Sequence, residues 1–329
     1  MKIQAIELRE DKRIDLGKEA PIPAPLSLYI EPTSLCNLRC SFCPTGDTKL
    51  RQMRPNGMMS DMTFSRILDD LYDWKIKLKR INWYKDGESL LNKIFPEQVA
   101  RFKTAGVVQE QWLKTNGLLL EPELNEELVT CGLDFIGVSI NGTDAQSYLR
   151  VTRTKLGYEK LVAGVADLYE RRGGVKIYVK IADSGLTDEE KDKFLNDFCH
   201  ISDNCSIEQL HGWSASDTKD WKLGTNPTTF EGYPLVEKIV CPLPFFMMAI
   251  NWNGTVSPCN EDWAHNAILG DINKQSLKEI WEGETMRQFR IMHLEDRRHE
   301  NKSCNGCDYL RTLPDNLDEH RDQVLERLK

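Results

Sequence analysis

Between Leu26 and Trp213 short β-rich apolar runs alternate with amphipathic helical stretches, and no other feature restricts the fold as much. Strands that alternate with helices pair in parallel, because the return from the end of one strand to the start of the next takes a dozen or more residues. The pattern predicts six strands, over 28–32, 79–84, 109–114, 135–140, 176–181 and 206–211. It predicts helices between them over 62–74, 95–104, 122–131, 157–171 and 187–200, the last opening at Thr187 with an acidic first turn. The fold class is therefore α/β: a six-fold (β/α) partial TIM barrel with its functional loops after the C-terminal ends of the strands.

Residues 1–25 read as an N-terminal extension, residues 26–235 as the barrel, and residues 236–329 as a small cysteine-rich C-terminal domain. From Ser214 to Pro234 the text turns to Asp, Thr, Lys, Gly and Pro without periodicity, as in a linker or a loop over a substrate. Beyond it, an alternating run around Asn253-Gly254 predicts a hairpin with a two-residue turn. Ser276, with Glu279 three residues on, predicts a capped helix running to Leu294.

With 329 residues, 40% of them hydrophobic, the chain can bury one large core and one small one. A formal net charge of -8 gives no sequence-wide attraction to phosphate backbones, so nucleic acid is not expected as a partner. Neither a signal-peptide core nor an apolar stretch of membrane-span length is read, so a cytoplasmic location without a membrane partner is expected. Ten cysteines would staple a short secreted scaffold, but here seven fall in two tight sets, Cys36/Cys40/Cys43 and Cys241/Cys259/Cys304/Cys307. That bunching points to metal or cluster ligation. Cys131, Cys199 and Cys205 read as ordinary buried thiols, with Cys205 the one placed to return a hydrogen atom to a substrate.

Cys36-Asn-Leu-Arg-Cys40-Ser-Phe-Cys43 follows directly on the first predicted strand, which sets three thiols on a loop at the barrel's open end. Three thiolates on a cube of four irons leave one iron open, as catalysis by a cluster requires. Zinc is the alternative, although structural zinc takes four ligands in paired spacings.

With Phe42 before its last cysteine, this triplet resembles the signature of the radical S-adenosylmethionine (SAM) superfamily. The resemblance implies that the open iron chelates the amino and carboxylate groups of SAM, and that one electron then yields methionine and a 5′-deoxyadenosyl radical. It implies cofactor-binding roles along the barrel mouth. Lys85-Asp86-Gly87-Glu88-Ser89 stands where the family has Gly-Gly-Glu-Pro, keeping Gly87 and Glu88 in type and departing at Asp86 and Ser89. Asn116, Ser139 and Asn141 stand where the family has ribose-binding polar groups, and Arg150 and Arg153 where it often has a cation for the SAM carboxylate.

Cys241, Cys259, Cys304 and Cys307 lie in a region resembling the SPASM domain of radical SAM enzymes. Full SPASM domains hold two auxiliary clusters, whereas four cysteines suffice for one saturated cluster with an electron-transfer role. Zinc on the same four thiols is the alternative. The expected cofactors are therefore two four-iron four-sulfur clusters and SAM. Trp252, Trp263 and Trp281 are expected to pack this domain.

An auxiliary cluster gives a substrate radical somewhere to send its electron, which favours dehydrogenation of a carbinol in a sugar, aminocyclitol or sugar-nucleotide, as in an aminocyclitol dehydrogenase of the family. Glu208, His211 and Asp217 on the last barrel strand and its loop are the candidate proton acceptors, with Trp213 as a wall. The expected partners are a small-molecule substrate and a reducing flavodoxin- or ferredoxin-like donor. Epimerisation, peptide modification and, more remotely, non-catalytic metal binding are the alternatives.

Overall fold

The structure is a computed structural model that describes residues 14–183, 185–210, 228 and 234–329. All six predicted strands form: β1 (Ser27–Ile30), β2 (Leu78–Asn82), β3 (Val108–Thr115), β4 (Phe135–Ile140), β5 (Lys176–Asp183) and β6 (Asn204–Gln209), lying side by side in chain order. From β2 to β6 every pairing is parallel. The crossovers carry α1 (Asp61–Trp74), α2 (Phe95–Ala105), α3 (Pro122–Thr130), α4 (Ala145–Thr152), α5 (Tyr158–Arg171) and α6 (Asp188–Phe198). No strand-to-strand return lacks a helix, which is why the sheet is parallel.

Period-two alternation divides each strand between two faces. Ile136, Val138 and Ile140 of β4 and Ile177, Val179 and Ile181 of β5 are 1% exposed or less and lie under the helices. Burying each such side chain contributes roughly 1.5–3 kcal/mol. Trp83, just past β2, packs its ring within 6.0 Å of Phe64 of α1 and of Phe95 and Phe102 of α2. The other face, which lines the barrel lumen, carries Trp112, Lys114, Tyr178, Lys180 and Glu208.

Side chains fix the starts of α1, α4 and α6. Ser60 accepts from Thr63 N–H, Asp144 pairs reciprocally with Ser147, and Thr187 does the same with Glu190. α4 is an element that the sequence pattern did not predict.

By its internal contacts the chain divides into two units, one of Ile30–Leu210 with Asn251–Asn253, the other of the remaining described residues. In the second, β7 (Met247–Ile250), β8 (Thr255–Ser257) and β9 (Gly270–Asp271) are antiparallel. The β7–β8 connection spans Asn251–Gly254, longer than the expected two residues, and Gly254 supplies its positive φ of 88°. The expected single helix from Ser276 is two, α7 (Leu277–Glu282) and α8 (Glu284–Leu294), because Gly283 between them is extended at ψ 160°. A final helix, α9 (Arg321–Leu328), lies near the C-terminus. Residues before β1 are tied into this unit: Trp281 Nε1–H donates to Ile22 O at 3.1 Å, and Arg327 donates to Ala20 O at 2.7 Å.

Two expectations are corrected. Trp252 belongs to the barrel unit, where its indole N–H donates to Pro55 O at 3.2 Å, while Trp263 and Trp281 are buried in the small unit. Cys199 and Cys205 are not free thiols but a disulfide with Cα atoms 5.3 Å apart, brought together by the turn from α6 into the start of β6. Their place at the N-terminal end of β6, opposite the mouth, removes Cys205 as a hydrogen donor to a substrate at the mouth. No described helix is long and apolar enough to cross a membrane.

Candidate active site

The three cysteines of the first set lie on the loop leaving β1, and backbone packing holds that loop from two sides. A Cβ at Gly46 would meet Cys40 O at 2.2 Å, and one at Gly87 would meet Thr33 O at 2.1 Å and Leu35 O at 2.6 Å. Glycine is required at both positions, since any side chain would push the loop away. The end of α4 adds two carbonyls, Thr152 O accepting from Arg39 N–H and Val151 O from Ser41 N–H at 3.0 and 2.9 Å. Burial pushes the Cys36 thiol up to about 12 and raises Cys40 and Cys43 as well. Such thiols become thiolates when cationic irons bind them.

Glu88 is buried, and its carboxylate accepts from Thr115 Oγ1–H at 2.8 Å, Asn116 N–H at 2.7 Å and Leu90 N–H at 3.2 Å. Burial raises its pKa and the three donors oppose that rise. With its oxygens engaged inside the fold, Glu88 joins the loops after β2 and β3. Asn116 is thereby set with its Nδ2–H on Asn37 Oδ1 at 2.6 Å and 3.9 Å from Cys36 Sγ. Ser89, standing where the family has proline, closes the loop by donating to Trp83 O at 2.6 Å.

Asp86, the second departure from the family motif, turns its carboxylate inward, 2.5 Å from both Arg54 and Lys85, with Glu31 3.9 Å from Arg54. All four side chains are 3% exposed or less, so two acids and two bases neutralise one another. Lys85 borders the motif stretch, whereas Arg54 and Glu31 carry no motif that a sequence reading could have found.

Other candidates fall in different places. Ser139 and Asn141 sit together at the C-terminal end of β4, Asn141 Nδ2–H donating to Ser139 O at 3.0 Å and its N–H to Tyr148 Oη at 3.0 Å. Phe42 is half-buried beside the last cysteine. Arg150 pairs with Glu190 at 2.8 Å while 61% exposed, and Arg153 is an exposed left-handed cap at φ 56°. The Arg150 guanidinium is thus engaged by an acid of α6. Glu208 is paired with Lys180 at 2.5 Å and with Tyr178 Oη–H at 2.6 Å, and despite burial the charges of Lys180 and Lys114 hold it at about 2. The Lys180 ammonium and the Tyr178 hydroxyl thus hold Glu208 as an anion. His211, Asp217 and Trp213 lie outside the described residues.

Cys241, Cys259, Cys304 and Cys307 line one recess in the small unit. Burial pushes Cys241 to about 11 and Cys307 to about 12, and raises Cys259 and Cys304. Asp262, fully buried, supports the wall by accepting from Ser303 Oγ–H, Ser257 Oγ–H, Asn266 N–H and Ala267 N–H. Arg298 donates to Cys304 O and Cys307 O, both at 2.9 Å, and His293 Nε2 is 3.6 Å from Cys304 Sγ.

Sulfur spacing bears on what these sets can hold. A tetrahedral zinc with Zn–S about 2.3 Å draws its sulfurs to roughly 3.8 Å of one another. Among the described residues no three cysteine sulfurs lie within 4.8 Å of one another.

Comparison with known proteins agrees. Residues 30–198 match the model of the radical SAM superfamily, and residues 241–308 that of an iron-sulfur cluster-binding domain, SPASM. The chain is 24% identical over 323 residues to the tungsten-containing aldehyde ferredoxin oxidoreductase cofactor-modifying protein of Pyrococcus furiosus, covering 85% of this chain and 86% of that one. It is 23% identical over 287 residues to the S-adenosyl-L-methionine-dependent 2-deoxy-scyllo-inosamine dehydrogenase of Niallia circulans, covering 85% and 91%. The crystal structure of BtrN in complex with AdoMet and 2-DOIA superposes with a TM-score of 0.56 at 18% identity, over 86% of this chain and 92% of that one.

Proposed function

This chain belongs to the radical SAM superfamily, and on that premise we propose that it is a dehydrogenase that oxidises a carbinol of a small molecule to a ketone, with one cluster held by each cysteine set. The substrate class would be a sugar, aminocyclitol or sugar-nucleotide. Cys36, Cys40 and Cys43 would hold a four-iron four-sulfur cluster, which would supply the electron for SAM cleavage and hydrogen abstraction.

The observation that carries this reading is the sulfur count: three at the barrel mouth, which leave an iron open, against four around the recess, which leave none. The chain's own work at the mouth is positioning. Gly46 and Gly87 let the backbone close on the cysteine loop, Glu88 fixes Asn116 beside Cys36, and Ser139 and Asn141 offer polar groups from β4. In the small unit, Asp262 and Arg298 brace the recess, which suits a resident cluster that accepts the electron left on the substrate. The 2-deoxy-scyllo-inosamine dehydrogenase, matched over most of both chains, supports alcohol oxidation by its name. A flavodoxin- or ferredoxin-like donor would supply the reducing electron.

Anaerobic reconstitution tests the reading. About eight irons per chain, and 5′-deoxyadenosine released with dithionite by the intact protein but not by a Cys36/Cys40/Cys43→Ala variant, are expected. A substrate alcohol should lose two hydrogens per turnover. Release of nucleoside by the triple variant, or about four irons with zinc retained, would overturn it.

A further inference from the structure

The lumen face of β3, β5 and β6 gathers charge that the positioning of SAM does not use. Lys180 is matched by Glu208 at 2.5 Å, and Tyr178 bonds the other oxygen of that carboxylate. Lys114 enters the same group from β3, with its Nζ 4.9 Å from the Tyr84 ring and, among the described residues, no ion-pair partner within 4.0 Å. Two ammonium groups thus face one carboxylate. An excess cation in a lumen with an aromatic floor is costly unless an anion joins it.

β4 presents Gly137 beside Lys114 on one side and beside Tyr178 on the other, so β4 itself adds no side chain between them. An added Cβ there would touch Lys114 Cγ and Phe135 Cε1 at 3.3 Å. Toward the N-terminal end of the strands, Arg80 lies 3.5 Å over Trp112, Trp112 stacks on Phe135 at 4.2 Å, and Phe135 lies 6.0 Å from Tyr178. That layer forms a floor. Toward the mouth, Asn116 follows Lys114 by two residues on the same strand face, about 6.6 Å along it.

We propose that Lys114 and Lys180 form an oxyanion-binding site in the lumen, so that the substrate carries a carboxylate or phosphate group that anchors it below the cysteine loop. The inference rests on the reading that the mouth is where hydrogen is abstracted. It adds that the reacting carbon lies a few bonds from the charged group. Burial, and then the charge of Lys114, push the Lys180 ammonium down, and an anion between the two relieves both effects. Glu208 keeps Lys180 in place and limits the net charge to one.

Isothermal titration of the SAM-loaded holoenzyme, under anaerobic conditions, with inorganic pyrophosphate and with malonate tests it. At least one probe should bind, K114Q should weaken binding about tenfold, and E208Q should tighten it by a similar factor. K77Q, at an exposed position outside the lumen, should change nothing. Binding of pyrophosphate alone assigns a phosphate, malonate alone a carboxylate, and both an oxyanion site of broad tolerance. The proposal is overturned if neither probe binds, if K114Q binds as the unmodified protein does, or if E208Q weakens binding. Nucleoside release by the unmodified holoenzyme is scored separately, so failure of the anion site and failure of the radical reading are told apart.

Discussion

Glu88 and Asn116 meet through a 2.7 Å hydrogen bond from the Asn116 backbone N–H to a buried carboxylate, which joins the loops after β2 and β3 beside Cys36. The acid acts on the site through the asparagine it places. Substituting Gln turns one acceptor into an N–H donor facing Thr115 or Asn116, a mismatch of about 1–3 kcal/mol. E88Q should weaken SAM binding about tenfold while iron content holds, measured by equilibrium dialysis of the reconstituted protein. Unchanged SAM affinity would refute this positioning role.

Gly87 has no room for a methyl group, with Thr33 O 2.1 Å from where its Cβ would stand. G87A should displace the cysteine loop and lower the iron count from about eight toward four, with loss of SAM cleavage. Full iron and normal nucleoside release would show that the loop can yield.

The Asp86 carboxylate holds two buried cations, Arg54 and Lys85. D86A removes their shared counter-charge and should destabilise the barrel by roughly 3–5 kcal/mol. R101A, which removes a half-exposed pair with Asp61, should change stability by less than about 1 kcal/mol. Chemical denaturation of the two variants side by side measures the contrast.

Asp262 accepts from four donors in the wall of the cysteine recess. D262A should empty that recess, leaving about four irons per chain and SAM cleavage at the mouth but no oxidised product. Retention of about eight irons would mean that the recess stands without it.

Ten cysteines include one disulfide, so a denatured, metal-free and unreduced chain should titrate eight thiols, the eight that are free here. Reductant should raise the count to ten, because the added pair is Cys199 and Cys205. Ten before reduction would remove the disulfide.

The sequence carries the barrel because every second residue in strands such as β4 is apolar, and the two cysteine sets because thiolates so spaced have few other uses. It conceals what depends on direction. Arg150 lies on a helix whose turning sends it to Glu190, and no spacing rule could say so. α4 is eight residues long and its box uses Ser147 rather than the Glu or Gln that marks such starts. Glu88 stands in a cofactor-binding motif while its carboxylate makes an internal tie, whose three donors come from residues near only in space or by a turn. Cys199 and Cys205 pair through a turn that brings a helix end to a strand start, which buried-thiol spacing does not reveal.

The alternation of faces has a further consequence for how such a chain can vary. Along β3, Trp112 and Lys114 face the lumen while Leu113 and Thr115 are buried. Core and lumen are thus two messages written on one strand, one on odd positions and one on even. Inserting or deleting a single residue would exchange them, sending Leu113 to the lumen and Lys114 under the helices. New specificities can therefore arise here by replacing even-numbered residues of β3, while changes in chain length are confined to the loops.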